Sequence, residues 1–139
     1  MDRVVQAAHA VDLHEWIESL PEGYATLLNT KNGISLSGGQ KQRIGLARAI
    51  YGNPSVLVLD EPSSNLDESG EAALKQLLYR IRQERSITCV IVSHSPEMLD
   101  MVDKLLVLKN GRMMQFGARD QVFNQLMSAQ TSAGGRRTG

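Results

Sequence analysis

The spacing of apolar residues along the chain predicts alternating helices and short strands. In three segments apolar side chains recur every three or four residues, which is the spacing of a helix with one buried face. Residues that interrupt helices, proline and glycine, follow the first two of these segments. The predicted helices therefore cover residues 3–19, 37–51 and 70–84.

Two continuous aliphatic runs, residues 56–59 and 87–92, lie on either side of the third helix. Runs of this length and composition are typical of strands buried on both faces of a parallel sheet. A strand, a helix and a second strand in this order predict an α/β fold, with helices flanking a parallel sheet. Such folds bind ligands at the carboxyl ends of their strands, so chemistry is expected there.

The C-terminal part of the chain predicts a hairpin and two more helices. Asn110-Gly111 is a tight-turn sequence between two apolar segments, residues 104–109 and 112–116. A short helix is expected near Pro96, and a last helix over about 119–127.

Composition narrows the class of protein. The chain has 139 residues, about one domain's length, and 42% of them are hydrophobic, which excludes a wholly disordered chain. Its 15 basic and 15 acidic residues cancel, so no nucleic-acid partner is expected. No aliphatic run approaches the roughly 20 residues of a membrane-spanning helix. One cysteine excludes an internal disulfide. These properties favour a soluble α/β domain, or part of one.

Asp60 and Glu61 directly follow the first aliphatic run. Side chains alternate along a strand, so these two carboxylates are expected to point in different directions. Asp60 is suited to organise Mg²⁺ and its waters, and Glu61 to orient an attacking water. The alternative is a pair of solvated acids that simply end a strand before Pro62.

Residues 37–40, Ser-Gly-Gly-Gln, begin the second predicted helix. Ser37 and Gln40 have the spacing of a capping box, which is a structural role. Gly38 and Gly39 are poor helix formers that a cap does not need, and they would let a phosphate approach the exposed N–H groups. Local chemistry leaves both interpretations open.

Two further residues are singled out by their positions, one at a strand end and one at a helix start. His94 follows the second strand and is placed to bond a terminal phosphate or to steady Glu61, although a lone histidine in a loop is more often just exposed. Asp67 is placed to cap the helix that begins near Ser69.

Together these segments resemble the nucleotide-binding domain of ATP-binding-cassette (ABC) transporters. Residues 36–40, Leu-Ser-Gly-Gly-Gln, match the family's signature motif, and residues 56–61 match the Walker B strand with its following glutamate. Residues 64–67 resemble the D-loop, and His94 stands at the position of the switch histidine. Residues 20–26 are similar to the segment that precedes the signature motif in exporters. Residues 64–71 resemble the corresponding segment of type I secretion ATPases of the protease and lipase group.

The resemblance implies a role for each matched residue. ATP would be the substrate and Mg²⁺ the metal, acted on by Asp60 largely through water. Glu61 would polarise the hydrolytic water, and His94 would contact the γ-phosphate. The residues expected to bind nucleotide on the opposing subunit, or to communicate with it, are Ser37, Gly38, Gly39, Gln40 and Asp67.

The resemblance also implies an incomplete cassette, the later part of a P-loop NTPase domain without its N-terminal strands. No Gly-Lys pair occurs, so the phosphate-binding loop is absent. Residues 1–52 would belong to the helical subdomain and 53–127 to the catalytic core, followed by a disordered tail over 128–139. The usual acidic segment before the signature is replaced by Lys31 and its neighbours. Without the phosphate loop, no useful ATP hydrolysis is expected from this chain alone.

The implied partners are a second nucleotide-binding domain, paired head to tail, and the membrane domain of an exporter. A type I system would add a periplasmic adaptor and an outer-membrane channel, with the ATPase on the cytoplasmic face of the inner membrane. Alternatives are another ABC exporter for peptides, lipids or drugs, an ATPase of chromosome maintenance or DNA repair, and a non-catalytic interaction module. A long heptad-patterned helix before the signature would indicate the DNA-repair class, and none is present.

Overall fold

The structure of the chain, a computed structural model, describes residues 2–28 and 33–134, with side chains as far as residue 128. The segment around Lys31 that departs from the exporter pattern lies largely outside the described residues. No helix in the described ranges is long and apolar enough to cross a membrane. The chain divides into two compact units, residues 1–94 and 95–139. The predicted boundary near residue 52 follows the subdomains of the family instead, and it stays a prediction.

The first unit begins with two helices, α1 (Asp2–Ala10) and α2 (His14–Glu18), and a 3-10 turn over Gly23–Ala25. The prediction of a single helix over 3–19 is therefore wrong. Asp12 adopts a positive φ of 55°, and the Leu13 N–H turns back to the Ala8 carbonyl at 2.9 Å. The turn buries Val11 and Leu13 almost completely, and this burial favours the break over a continuous helix.

The next two helices confirm the predicted spacing. Helix α3 (Gly38–Ile50) begins after the cap residue Ser37. Helix α4 (Glu68–Glu84) begins after Asp67 and ends at Arg85 in the left-handed conformation. The apolar stripe of α4 is buried, which explains why its periodicity is the clearest in the sequence. Its buried side chains are Leu74, Leu77, Leu78 and Ile81.

Strands β1 (Val56–Asp60) and β2 (Thr88–Val92) pair in parallel, which confirms the α/β class. The predicted burial on both faces is wrong. Leu57 and Leu59 are only 3% and 7% exposed, whereas the alternate positions of both strands are open. A continuous aliphatic run looks the same whether one face or both are covered, and the described residues cover only one. The exposed side chains are Val56, Val58, Val90 and Val92.

The second unit contains α5 (Pro96–Leu99), β3 (Lys104–Lys109), β4 (Arg112–Ala118) and α6 (Arg119–Gly134). Strands β3 and β4 form the predicted antiparallel hairpin. Helix α6 continues beyond residue 127 to Gly134, so it is longer than the predicted helix over about 119–127. The predicted disordered tail stays a prediction, and residues 135–139 lie outside the described residues. The sequence holds no helix-stop signal until the Gly134-Gly135 pair, which explains the longer helix.

Candidate functional site

Glu61 begins the loop that leaves β1. Its N–H donates to the Val92 carbonyl at 2.8 Å, so the first residue of the loop is tied to the last residue of β2. Its φ is 44°, a left-handed conformation that is uncommon for a residue with a side chain. This conformation turns the chain out of the strand direction at the carboxyl edge of the sheet. Strained backbone of this kind often occurs at functional sites.

His94 and Glu61 are in direct contact, although 33 residues separate them in sequence. The His94 Nδ1 atom lies 2.8 Å from Glu61 Oε1. The Ser93 hydroxyl donates to the other carboxylate oxygen at 3.5 Å. The His94 side chain is 87% exposed and that of Glu61 34%, so the pair faces solvent on one side. Of the two predicted contacts for His94, the one with Glu61 is present in this chain.

Asp60 is the last residue of β1 and is exposed. Among residues 2–28 and 33–134, no group of three or more histidine, cysteine, aspartate or glutamate side chains is placed to hold a metal ion together. A single carboxylate with several waters is nonetheless a usual arrangement for Mg²⁺ bound beside substrate phosphates. Asp60 therefore fits the predicted metal role as one ligand, direct or through water.

The start of α3 has the predicted capping box. The Gln40 N–H donates to Ser37 Oγ at 3.1 Å, and the Ser37 N–H donates to Gln40 Oε1 at 2.9 Å. These bonds account for Ser37 and Gln40 as a structural cap. Gly39 also has a packing role, because a Cβ atom there would lie 3.0 Å from the Asn65 carbonyl oxygen. Gly38 does not, since its Cβ would make only an ordinary 3.7 Å contact.

Gln42 holds the loop that begins at Glu61. Its side-chain amide Nε2 donates to the Glu61 carbonyl at 3.1 Å and to the Pro62 carbonyl at 3.0 Å. Nothing in the local pattern singles out Gln42, because its partners lie 19 and 20 residues away in sequence. Its position two residues after the Leu-Ser-Gly-Gly-Gln segment, residues 36–40, which matches the ABC signature motif, is the one signal that marks it.

Arg43 connects α3 to two other segments. Its Nη1 donates to the Asp12 carbonyl at 2.9 Å and to Asp12 Oδ2 at 3.2 Å. Its Nη2 pairs with Asp67 and donates to Ser69 Oγ at 2.9 Å. The side chain is 11% exposed, so this guanidinium is largely buried between two carboxylates. Sequence reasoning missed these contacts as well.

Asp67 is the cap of α4, as predicted. Its Oδ1 accepts from the Gly70 N–H at 3.0 Å. That backbone hydrogen bond, followed by the bond from Arg43, lowers the pKa of the Asp67 carboxyl below its ordinary value. The predicted role of Asp67 across a subunit interface stays a prediction.

The loop over residues 61–67 thus joins the predicted site residues. Glu61, with His94, stands at one end of the loop and Asp67 at the other. The first turn of α3 lies against the middle of the loop at Asn65, where Gly39 makes its close approach. A carboxylate–imidazole pair and an exposed helix N-terminus beside one loop are suited to phosphoryl chemistry.

Comparisons with known proteins relate the chain to ABC transporters. A family model described as "ABC transporter" matches residues 2–64. The type I secretion system ATP-binding protein PrsD of Rhizobium meliloti is 43% identical over 129 residues, covering 93% of this chain and 22% of that protein. The uncharacterized ABC transporter ATP-binding protein YfiC of Bacillus subtilis is 41% identical over 122 residues, covering 88% and 20%.

A solved structure agrees as well. A bacterial Atm1-family ABC exporter with ATP bound matches with a TM-score of 0.74 and 27% identity, over 99% of this chain and 24% of that one. The chain therefore spans about a fifth of the length of the curated relatives given above.

Proposed function

The chain belongs to the ABC transporter family, and we propose that it forms part of an ATPase that powers transmembrane export. The contact between Glu61 and His94 at the carboxyl ends of two parallel strands carries this proposal. A pair of solvated acids ending a strand, the alternative for residues 60–61, leaves this contact and the positive φ of Glu61 unexplained.

In the proposed reaction Glu61 accepts a hydrogen bond from the water that attacks the γ-phosphate of ATP and so orients it. His94, held by Glu61 through Nδ1, presents the other edge of its ring to the phosphate. Asp60 would hold Mg²⁺, directly or through water, and the metal would supply positive charge at the phosphates. Phosphoryl transfer depends mainly on such positioning and charge neutralisation.

The start of α3 acts on a second nucleotide in this proposal. Gly38 is exposed and has no side chain to cover the first helical turn, and this turn carries no acidic residue. Following the family resemblance, this end of α3 contacts ATP held by an opposing nucleotide-binding domain. The proposed partners are therefore a second such domain and the membrane domain of an exporter.

The finer proposal is a type I secretion system for protein substrates, with a periplasmic adaptor and an outer-membrane channel. The 43% identity to the Rhizobium meliloti secretion protein supports it, together with the resemblance of residues 64–71. Another class of exporter is the second candidate, because the Bacillus subtilis relative is 41% identical.

A chimera tests the proposed function. The aligned segment of this chain replaces the corresponding 129-residue segment of the Rhizobium meliloti protein. ATP hydrolysis is then measured on the purified chimera. We expect Mg²⁺-dependent hydrolysis that Glu61→Gln lowers by about 100-fold or more, because the amide cannot orient water as the carboxylate does. Glu84→Gln, the same chemical change at the exposed end of α4, is the matched control and should retain the rate.

Equal rates for the Glu61→Gln and Glu84→Gln chimeras would overturn the role of Glu61. Secretion by cells carrying the unmodified chimera then tests the finer proposal. A chimera that hydrolyses ATP but does not support secretion would favour another class of exporter. The 139-residue chain alone should show no turnover above background, since its sequence lacks the phosphate-binding loop.

A further inference from the structure

The first two turns of helix α3 contain both the proposed phosphate-binding end and the residues that contact the 61–67 loop. Its N-terminus carries Ser37 and Gly38, and residues 42 and 43 contact the loop that contains Glu61 and Asp67. We propose that Gln42 and Arg43 are positioning residues. Their hydrogen bonds hold the N-terminus of α3 and the loop over residues 61–67 in one fixed arrangement, so that the two move together. The proposal rests on the proposed function, in which these two parts serve different nucleotides.

Gln42 fixes the backbone from which the Glu61 side chain extends. Its one amide group donates to two successive carbonyls, those of Glu61 and Pro62, at 3.1 and 3.0 Å. The Glu61 carbonyl also accepts from the Ser64 N–H at 3.1 Å. A residue with φ of 44° needs such external contacts to hold its conformation. Loss of the Gln42 donor should therefore displace the Glu61 carboxylate.

Arg43 fixes the other end of the same loop. In its planar guanidinium, Nη1 donates to Asp12, and Nη2 donates to Asp67 and Ser69. A lysine keeps the charge but has a single nitrogen, so it cannot span both carboxylates. Gly70 lies so close that a Cβ atom there would be 2.8 Å from Arg43 Nε, and the absent side chain leaves room for this bridge.

The consequence is a link between two nucleotides through one chain. In the proposed dimer, Glu61 acts on ATP held by its own subunit, while the start of α3 acts on ATP held by the partner. Because Gln42 and Arg43 bond the loop to the helix, a shift of Glu61 on hydrolysis moves the N-terminus of α3 with it. A displacement of about 1 Å at such a site can change the rate by about 100-fold.

The test uses the chimera described above, in which Glu61→Gln independently reports whether the proposed function holds. Gln42→Met keeps the length of the side chain and removes its donors. We expect kcat to fall about tenfold or more while KM for ATP stays within about twofold, since nucleotide contacts are kept. Arg43→Lys is expected to lower kcat in the same way. Lys41→Met, an exposed neighbour on α3, is the matched control.

A double-mutant cycle separates positioning from a merely structural role. If Gln42 acts through Glu61, adding Gln42→Met to the Glu61→Gln chimera lowers the residual rate no further. Equal losses in both backgrounds, or the same kcat for Gln42→Met and Lys41→Met, would overturn the proposal. Should Gln42→Met fail to fold, Gln42→Asn, which keeps the amide but shortens its reach, enters the same cycle. If Glu61→Gln itself leaves the rate unchanged, the proposed function fails instead.

Discussion

The N-termini of α3 and α4 lie at the same loop and are both capped, yet they differ in charge. Helix α4 is capped by the Asp67 carboxylate and carries Glu68 and Glu71 in its first turn, so its positive end is already compensated. Helix α3 is capped by the neutral Ser37 and has no acidic residue in its first turn. The comparison shows why a cap alone does not define a phosphate site. The uncompensated end is the one free to attract an anion.

The largest expected effect comes from making the start of α3 resemble that of α4. Gly38→Asp places a carboxylate where the proposed phosphate approaches. A negative charge near a helix N-terminus stabilises the helix, so the fold should be retained. We expect ATP turnover of the chimera to fall by at least about 100-fold, as for the loss of a donor aimed at a developing charge.

Gly38→Ala is the control for that substitution. A Cβ atom at this position would make only a 3.7 Å contact within the chain, so the change adds bulk without charge. We expect its loss of turnover to be clearly smaller than that of Gly38→Asp. Similar losses for both variants would mean that space, and not charge, distinguishes the two helix ends.

The local parts of this comparison could be predicted from sequence. Each helix cap is a hydrogen bond between residues only three apart, Ser37 with Gln40 and Asp67 with Gly70. A short-range sequence pattern is therefore sufficient to predict it. The contacts that join the two ends could not, because Gln42 and Arg43 reach partners 19 to 31 residues away. No periodicity encodes such distances.

Two errors in the predicted fold, the unbroken first helix and the burial of β1 on both faces, also come from long-range packing. The break at Asp12 depends on tertiary burial of Val11 and Leu13, which overrides the helical spacing on either side. The one-sided burial of β1 depends on what covers the sheet, and Val58 and Leu59 look equivalent in sequence although they are 64% and 7% exposed. Sequence pattern thus predicted most of the elements, and long-range packing decided the break in the first helix and the one-sided burial of β1.

A second prediction concerns the first turn of α4. Gly70→Ala would ordinarily stabilise a helix by up to about 1 kcal/mol. Here the new Cβ would lie 2.8 Å from Arg43 Nε and 3.0 Å from Asp67 Oδ1, so the bridge between the helices must shift. We expect a net destabilisation of about 1 kcal/mol, within the usual cost of overpacking. Urea unfolding of the 139-residue chain, followed by circular dichroism, measures it.

Gly45→Ala on α3 is the matched control, because nothing lies within 4 Å of the new Cβ. This variant should be more stable than the parent chain, by up to about 1 kcal/mol. Opposite signs for the two substitutions would identify the Arg43 contact as the cause. A stabilising Gly70→Ala would show that the contact between α3 and α4 is loose.

The smallest expected effect is the acid dependence of the α4 cap. The Gly70 N–H and then Arg43 lower the pKa of Asp67 below the ordinary value of an aspartate. The folded state therefore favours the carboxylate, and its stabilisation is complete above the ordinary pKa. It is lost as the pH falls through the lower folded value. The free energy of unfolding of the parent chain should exceed that of Asp67→Asn at pH 6, and the difference should shrink towards pH 3.

Because the Asp67 side chain is 70% exposed, 1 M salt should also reduce the difference. The neutral cap of α3 predicts no such dependence for Ser37→Ala, so a pH-independent difference at Asp67 would remove the electrostatic distinction between the two helix ends.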